Sequence, residues 1–381
     1  MPRLAAERTG LDHSLINGTF SERRVAIVHY WFVAMRGGER VVERLLRIFP
    51  NADIFTNVYD PHSMSATLKK APIKAGFVNR LPFARRLYQY YLPLMPMALE
   101  CLDLTAYDLV ISSESGPAKG VITRPDAMHL CYCHSPMRYL WDHYHQYRAE
   151  APLLARGAMP LIYHRLRQWD VTSSARVDQF IANSHFIQQR IRKVWRRESE
   201  VIHPPVDISL FHQSAEIDDN YLWVGQMVPY KRPDLAVEAF NANGLPLTMV
   251  GSGSMLKKLR AIARPNIVFI DRLDFTSLKN AYARCKALVI TAEEDFGISP
   301  VETMASGRPV VAYGRGGVRD SVVHGQTGIF FDEQTAGSLI EAVEQMEFFL
   351  KDFDPAAAIK QASLFEPEQF DRKILQLAQP N

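Results

Sequence analysis

The sequence has few cysteines, no long apolar run and no strong excess of one charge. Its four cysteines in 381 residues are too few to build a disulfide framework in a chain of this length. No stretch approaches the ~18 apolar residues of a membrane-spanning helix, so any membrane contact is expected to be peripheral. The first residues are polar and lack the apolar core of a secretory signal, and we therefore expect a cytoplasmic protein.

The charge balance and the composition narrow the class further. Lysine and arginine together number 44 and aspartate and glutamate 41, which gives a net charge of +3. So small an excess does not indicate a nucleic-acid-binding protein. With 47% hydrophobic residues, the chain is long enough to bury two cores of ordinary size, which excludes a disordered or fibrous protein.

Short apolar runs alternate with amphipathic stretches from residue 24 onward. In the first half we predict strands at 25–29, 108–112, 128–133 and 179–183, and a helix at 39–49. In the second half we predict strands at 221–225, 247–251, 267–271, 287–291 and 309–313, and helices at 233–243, 254–263, 276–284 and 300–306. This alternation predicts the α/β class with helix-covered parallel sheets. We expect two Rossmann-like, doubly wound domains that face each other across a cleft.

Tandem prolines, Pro204 and Pro205, interrupt this pattern and mark the predicted join. We assign residues 1–23 to a flexible N-terminal extension, 24–203 to the first domain and 204–365 to the second. A final helix within 366–381 has no strand after it, and we expect it to pack back on the first domain. Ligands of open α/β sheets gather outside the carboxyl ends of the strands, where candidate residues should lie.

Two carboxylates, Glu294 and Glu302, flank a predicted junction of strand, loop and helix. Free amides at a helix N-terminus beside Gly297 suit an anion, and the carboxylates suit sugar hydroxyls on either side of it. Together these groups suit a sugar attached to a diphosphate. A structural alternative stays open, because Ser299 and Glu302 match a capping box with Ser299 as the N-cap. For Glu294 the alternative is an exposed loop acid.

Further polar groups follow other predicted strands. Lys231 and Arg232 lie between a strand end and a helix start, where Lys231 could neutralise a departing diphosphate. Gly37 and Gly38 lead into a helix and would let the backbone approach a phosphate or a sugar closely. The alternative for Lys231 and Arg232 is an ordinary pair of surface cations. The alternative for Gly37 and Gly38 is a turn that needs glycine for steric reasons alone.

His134 follows a predicted strand that contains Cys131 and Cys133. These residues superficially suggest a metal site, but alternation along a strand places the two cysteines on one face and His134 on the other. No fourth ligand for tetrahedral zinc is evident nearby. We therefore expect core cysteines, no metal, and a His134 that faces the cleft; a structural hydrogen bond is the alternative for the histidine.

Two other patterns have competing interpretations. Gly251 and Gly253 open a predicted helix, but Leu256 replaces the third glycine of a dinucleotide-binding fingerprint, so a dehydrogenase is only a minor alternative. Residues 69–92 combine six cations with many aromatic and aliphatic side chains. That composition fits either peripheral contact with anionic lipid or an ordinary amphipathic helix.

Taken together, these residues resemble the family-4 retaining glycosyltransferases. The resemblance extends from about residue 24 to the final helix and is strongest in the spacing of Glu294 and Glu302, a Glu-x7-Glu motif. Lys231, His134 and the Pro204 join support it. It implies the GT-B architecture of two Rossmann-like domains, with the nucleotide on the second domain and the acceptor mainly on the first.

The resemblance also implies a role for each candidate residue. Glu294 would contact hydroxyls of the donor sugar, Glu302 the ribose and Lys231 the diphosphate. His134 would meet the transferred sugar near its reacting face, which makes His134, Glu294 and Lys231 the catalytic candidates. The other donor-binding candidates are Gly37, Gly38, Gln226, Arg232, Phe296, Gly297 and Ile298, and the acceptor-binding candidates are Arg138, Tyr139 and Trp141. Because Gln226 stands where the family usually has arginine, phosphate neutralisation would fall more heavily on Lys231 and Arg232.

The implied reaction retains the anomeric configuration and uses neither a metal ion nor another cofactor. The acceptor hydroxyl would attack on the face that the nucleotide leaves, and a donor phosphate oxygen would take its proton. Glu294 as a covalent nucleophile is a lesser alternative. The segments around Lys231 and His134 are similar to bacterial mannosyltransferases of O-antigen and exopolysaccharide assembly. GDP-mannose and a saccharide on a polyprenyl diphosphate at the inner face of the membrane are the expected substrates. A UDP-sugar donor, a nucleotide-sugar epimerase and a catalytically silent binding subunit remain alternatives.

Overall fold

The computed structural model describes residues 23–379. Contacts group the chain into two compact units. Among the described residues, the first unit contains 23–204 and 368–379, and the second is Pro205–Pro367. Apart from Arg23, the predicted flexible extension lies outside the described residues. Within residues 23–379 the structure contains no helix that is long and apolar enough to cross a bilayer.

The first unit is built on a parallel seven-stranded sheet. Its strands are β1 (Val25–His29), β2 (Asp53–Thr56), β3 (Ile73–Ala75), β4 (Leu109–Glu114), β5 (Met128–Cys133), β6 (Gln179–Ala182) and β7 (Ser199–Val201). Its helices up to the join are α1 (Gly37–Ile48), α2 (Ala66–Lys70), α3 (Ala84–Leu87), α4 (Met95–Glu100), α5 (Tyr144–Glu150), α6 (Leu153–Ser173) and α7 (His185–Trp195). The strand order is β3-β2-β1-β4-β5-β6-β7.

All residues of β1 and β4 are buried, because helices cover both faces of a doubly wound sheet and leave no solvated side. The chain turns from β1 toward β2 on one side of the sheet, and β4 begins the other half. This reversal between β1 and β4 is the topological switch point, outside which such sheets bind their ligands.

The second unit repeats the plan with six parallel strands. They are β8 (Tyr221–Val224), β9 (Leu247–Val250), β10 (Ile267–Ile270), β11 (Leu288–Ile290), β12 (Val310–Tyr313) and β13 (Gly328–Phe331). Its helices are α8 (Pro233–Asn243), α9 (Leu256–Ile262), α10 (Phe275–Arg284), α11 (Ile298–Ala305), α12 (Val318–Ser321), α13 (Ala336–Phe349) and α14 (Pro355–Ala362). The order β10-β9-β8-β11-β12-β13 puts the switch point between β8 and β11. Two parallel doubly wound sheets confirm the predicted fold class.

The final helix, α15 (Pro367–Leu377), belongs to the first unit. Its Phe370 ring lies 5.6 Å from Tyr132 in the core of that unit. Buried Asp371 accepts a hydrogen bond from Nε of Arg44, on α1, at 2.7 Å, and a second one from the same guanidinium. Burial in this core and the bidentate pair hold α15 on the first unit.

Candidate functional site

Lys231 and Glu294 meet at the switch point of the second sheet. Lys231 ends a short 3-10 turn, Pro229–Lys231, after β8, and Glu294 lies in the loop after β11. The Nζ atom of Lys231 donates a hydrogen bond to Oε1 of Glu294 at 2.6 Å. Burial alone would lower the pKa of Lys231, but the neighbouring carboxylate outweighs it and the pKa is raised. Both residues lie after strands, as the sequence predicted, and the structure shows that they are also in direct contact.

Thr291 holds the backbone of Lys231 in place. Its hydroxyl donates to the carbonyl oxygen of Lys231 at 2.8 Å and accepts from Nε1 of Trp223 at 3.1 Å. Thr291 directly follows β11 and is buried, so this bond links the loop after β8 to the end of the neighbouring strand. Sequence analysis missed this positioning role, for which a polar residue at the end of an apolar strand was the available signal.

A glycine-rich loop after β12 supports the segment that carries Glu294. The backbone amide of Gly317 donates to the carbonyl oxygen of Glu294 at 2.7 Å. A Cβ atom on Gly317 would overlap the carbonyl oxygen of Asp295, and Gly316 has φ of +85°. Only glycine fits such a close approach of two backbones. The sequence analysis also missed this loop, although Gly314-Arg315-Gly316-Gly317 after a predicted strand signalled it.

Helix α11 begins two residues earlier than predicted. Gly297 is its N-cap, with φ of +87°, and Ser299 lies inside the first turn. The alternative interpretation, a capping box with Ser299 as N-cap, is therefore wrong, because the left-handed conformation of Gly297 lets the chain enter the helix before Ser299. Gly297 has no side chain with which to cap the first amides of the helix. Phe296 and Glu302 are both buried, on either side of this helix start.

The remaining donor-site candidates of the second unit lie in the loop after β8. Gln226 is exposed. Arg232 has φ of +51°, an uncommon conformation for a residue with a side chain, and its Nε atom lies 3.2 Å from Oδ2 of Asp234. The loop therefore presents two cations, Lys231 and Arg232, and each is paired with a carboxylate.

Gly251 and Gly253 have a packing role that explains them without a dinucleotide. A Cβ atom on either glycine would collide with backbone of the loop after β8, at Gly225 and Met227 respectively. A backbone hydrogen bond joins the same two loops, because the Met227 amide donates to the carbonyl oxygen of Ser252 at 2.9 Å. The glycines let the loops after β8 and β9 pack backbone to backbone.

His134 and Gly38 lie together in the first unit. The Nε2 atom of His134 is 2.8 Å from Oγ of Ser113, near the end of β4. Gly38 lies in the first turn of α1, where a Cβ atom would come within 3.5 Å of Nε2 of His134. Burial, with the nearby His29 as a smaller cause, lowers the pKa of His134 to about 3, so its ring is neutral at physiological pH. Gly37 is the first residue of α1, so the glycine pair forms the helix start instead of a loop before it.

The three acceptor candidates, Arg138, Tyr139 and Trp141, differ in how their polar atoms are paired. Nε1 of Trp141 donates to Oδ2 of Asp170 at 2.8 Å, which commits its polar atom and leaves only its ring for a ligand. The hydroxyl of Tyr139 is buried and has no hydrogen-bond partner among the described residues. Arg138 stacks its guanidinium over the ring of Phe186 at 5.9 Å. Tyr139 therefore has a buried polar atom that needs a partner.

The cysteines behave as predicted. Cys131 and Cys133 are fully buried in one apolar cluster, and burial raises the pKa of Cys131 above its usual range. A raised thiol pKa disfavours the thiolate that binds metals. The interpretation of these two residues as core is confirmed.

Two family models match adjoining parts of the chain. The model described as Glycosyltransferase Family 4 matches residues 35–210, and the model described as Glycosyl transferases group 1 matches residues 211–362. Glycogen synthase of Mycobacterium tuberculosis is 33% identical over 224 residues, which are 54% of this chain and 52% of that protein. A GDP-mannose-dependent alpha-mannosyltransferase of Mycolicibacterium smegmatis is 35% identical over 111 residues, 29% of each chain. The chain spans about half the length, or less, of the curated relatives it matches.

A solved structure agrees over nearly the whole length. HepE of Anabaena, in complex with UDP and glucose, superimposes with a TM-score of 0.69 at 16% identity, over 93% of this chain and 99% of that one. At this identity the likeness shows the fold. With the two family models, it identifies the chain as a member of glycosyltransferase family 4 with the GT-B fold.

Proposed function

We propose that the protein is a retaining glycosyltransferase that moves a hexose from a nucleotide sugar to a saccharide acceptor. The observation that carries this proposal is the contact of Lys231 and Glu294 beside the N-terminus of α11 at the switch point of the second sheet. A cation and helix-terminal amides suit a diphosphate, and a carboxylate beside them suits the hydroxyls of the attached sugar.

The donor groups are assigned from this arrangement. Lys231 contacts the diphosphate, and the backbone of Phe296, Gly297 and Ile298 contacts sugar and phosphate. Glu294 accepts hydrogen bonds from sugar hydroxyls, and Glu302 contacts the ribose. Because Lys231 and Glu294 already bond to each other at 2.6 Å, donor binding exchanges one ionic contact for two contacts with the ligand.

The chemistry follows from where charge develops. The bond from the anomeric carbon to the phosphate oxygen breaks through an oxocarbenium-like state, and the acceptor oxygen bonds to the same face of that carbon. The acceptor proton passes to the departing phosphate oxygen. Lys231 and the helix amides stabilise the charge on the diphosphate, so we propose that the reaction requires no divalent ion. A second cation, Arg232, offsets the neutral Gln226.

In the first unit, His134 and Gly38 are proposed to meet the transferred sugar and Tyr139 the acceptor. The neutral ring of His134 suits a hydroxyl group, because a charged imidazolium would repel the positive charge that develops at the anomeric carbon. The buried, unpartnered hydroxyl of Tyr139 gains a partner when an acceptor hydroxyl binds.

We propose mannose from GDP-mannose as the donor sugar. The partial match to a GDP-mannose-dependent mannosyltransferase supports this choice. The principal alternative is a UDP-sugar donor, which the complex of HepE with UDP and glucose favours. The two differ in the base and in the sugar hydroxyls, and the same Lys231 contact serves both.

An acceptor carried on a polyprenyl diphosphate would require contact with a membrane surface, and we propose that the first unit supplies it. Phe83 is 77% exposed beside the cations of residues 69–92, and Leu153 and Leu154 at the start of α6 are 82% and 93% exposed. Residues 69–92 and helix α6 contribute to one apolar cluster, through Leu92 and Leu166 respectively. Exposed apolar side chains beside cations are typical of a surface that binds anionic lipid.

Calorimetry with GDP, UDP and ADP in the presence of chelator tests the donor assignment. Preferred binding of GDP without metal is the expected result. Preference for UDP would overturn the mannosyl proposal and keep the glycosyltransferase proposal. Binding of none would contradict the donor site and favour a silent subunit. An epimerase would instead convert a nucleotide sugar when no acceptor is present.

Sedimentation with lipid vesicles tests the membrane surface separately. The protein should sediment with vesicles that contain anionic lipid and less with neutral ones. The variant L153S/L154S should lose most of this binding, whereas F348S, which alters an exposed side chain of the second unit, should retain it. Equal sedimentation of both variants would contradict the assigned surface.

A further inference from the structure

A chain of polar contacts runs behind His134 in the first unit. The Nε2 atom of His134 is 2.8 Å from Oγ of Ser113, and the same Oγ is 2.9 Å from Nδ1 of His29. On the far side of its ring, Nε2 of His29 is 3.6 Å from Oε1 of Glu39. The four side chains come from the ends of β1 and β4, the start of α1 and the loop after β5. They converge on the switch point of the first sheet.

Three members of the chain are inaccessible and one is not. His29, Ser113 and Glu39 are buried, whereas His134 is partly exposed. Glu39 is itself held by the start of α1, because its Oε2 atom accepts a hydrogen bond from the Arg36 amide at 2.8 Å. The chain therefore has a fixed buried end at Glu39 and one end, His134, that a ligand can reach.

The direction of the hydrogen bonds follows from what each group can donate. Nε2 of His29 and Oε1 of Glu39 are 3.6 Å apart, too far for a hydrogen bond, but the negative charge of the carboxylate favours a hydrogen on the ring nitrogen that faces it. The other nitrogen of His29 then accepts, and the Ser113 hydroxyl must donate its single hydrogen to it. Oγ of Ser113 is left as an acceptor, which requires a hydrogen on Nε2 of His134.

The opposite direction is disfavoured at the buried end. It would place the lone pair of Nε2 of His29 3.6 Å from the carboxylate of Glu39. Both groups are buried, so the repulsion between them is only weakly screened. The carboxylate therefore sets the polarity of the whole chain.

We propose that Glu39, His29 and Ser113 are positioning residues that hold His134 in the tautomer with hydrogen on Nε2, so that its Nδ1 accepts a hydrogen bond from a hydroxyl of the bound saccharide. This inference rests on the proposed function for the identity of the ligand and deepens it. It assigns a direction to the hydrogen bonds around His134, and it explains why buried polar residues occupy the ends of two central strands.

The first test observes the tautomer directly in the full-length protein. With nitrogen-15-labelled histidine, a long-range proton–nitrogen correlation spectrum distinguishes a protonated ring nitrogen from an unprotonated one. The His134 signals are assigned as those lost in H134Q. The expected wild-type pattern is a protonated Nε2 and an unprotonated Nδ1 at neutral pH. The reverse pattern in the wild type would overturn the proposal.

Variants test the chain behind the ring. S113A and E39Q should each give a mixture of His134 tautomers, because a methyl side chain in place of the Ser113 hydroxyl cannot accept the hydrogen and a glutamine amide can present either a donor or an acceptor. S112A is the matched control, since Ser112 is a neighbouring buried serine whose Oγ bonds a different imidazole, Nε2 of His129, at 2.9 Å. A single unchanged His134 tautomer in both S113A and E39Q would contradict the chain.

Transfer kinetics separate this inference from the proposed function. S113A should lower kcat by about fivefold to tenfold, the effect of one weakened neutral hydrogen bond, and leave nucleoside diphosphate affinity unchanged. If the wild-type tautomer is the expected one and no sugar is transferred, the proposed function fails while the chain stands. If transfer occurs and the tautomer is reversed, only the present inference fails.

Discussion

Replacing Lys231 should weaken nucleoside diphosphate binding by a predictable amount. A hydrogen bond to a charged group contributes roughly 1.5–3 kcal/mol. At about 1.4 kcal/mol per factor of ten, K231M would raise Kd about 10-fold to 100-fold. The lower part of the range is expected, because Nζ already bonds Glu294 at 2.6 Å in the free protein and binding exchanges that contact.

The same contact predicts that replacing Glu294 has the opposite effect on nucleoside diphosphate affinity. A nucleoside diphosphate has no transferable sugar, so Glu294 contributes nothing to it and competes for Lys231. E294Q should therefore bind GDP or UDP as tightly as the wild type, or several-fold more tightly, while transfer of sugar is lost. Isothermal calorimetry in the presence of chelator measures the first effect, and product formation measures the second.

Lys286 supplies a matched control for the loss of a cation. Its side chain is 20% exposed, against 23% for Lys231, and it bonds Glu347 at 3.0 Å. Lys286 precedes β11, so it lies at the amino ends of the strands, whereas Lys231 lies at their carboxyl ends. K286M should leave nucleotide affinity unchanged. Equal weakening by K231M, K286M and E294Q would refute the assignment of Lys231 to the diphosphate.

Three further predictions concern stability and the glycine loop. D371A should destabilise the protein by about 3–5 kcal/mol in urea unfolding, because it leaves the guanidinium of Arg44 buried without its bidentate partner. G317A should weaken nucleotide binding and lower the unfolding midpoint, since a Cβ there collides with the loop that carries Glu294. Burial lowers the pKa of His129 to about 4 in the folded protein. Between pH 6.5 and 4 this histidine therefore binds a proton in the unfolded protein and remains neutral in the folded one. Stability should therefore fall by about 2 kcal/mol from this group between pH 7 and pH 5, and less in H129Q.

Each of these predictions has its own control. E368A removes a more exposed carboxylate 3.8 Å from Arg44 and should change stability little; a loss as large as that of D371A would contradict the role of the bidentate pair. G337A introduces a methyl group into open space in α13 and should be neutral or slightly stabilising, so similar losses in G317A and G337A would exclude a local collision. An unchanged pH dependence in H129Q would show that other groups govern acid unfolding.

The sheet topology was predictable because strand ends converge. Lys231 and Glu294 are 63 residues apart, yet each was expected in a loop after a strand, and the doubly wound order places those two strands side by side. The strand bounds were predicted to within a residue or two where the runs were apolar, as at Val25–His29. Four strands, β2, β3, β7 and β13, were not predicted. Two of them, β3 and β7, are edge strands of the first sheet without a buried residue, so they lack the apolar run that marks the central strands.

The missed site residues depend on contacts that no local pattern encodes. Gly317 supports Glu294 from a loop more than twenty residues downstream, and the contact exists only because β12 lies beside β11. Ser113 lies within a buried strand, and a serine in a strand does not by itself predict a hydrogen bond to a histidine. The error at Ser299 has a different cause, since a sequence match to a capping box competed with a glycine two residues earlier, and the glycine determined where the helix began.

The most direct test of the account is transfer itself. Radiolabelled GDP-mannose, and in parallel UDP-sugars, are incubated with chelator and a polyprenyl-diphosphate-linked saccharide, and the label in the lipid product and its anomeric configuration are measured. We predict labelled product with the configuration retained, formed from GDP-mannose by the wild type and not by E294Q. Absence of acceptor-dependent label from every nucleotide sugar, or an inverted product, would contradict the central claim.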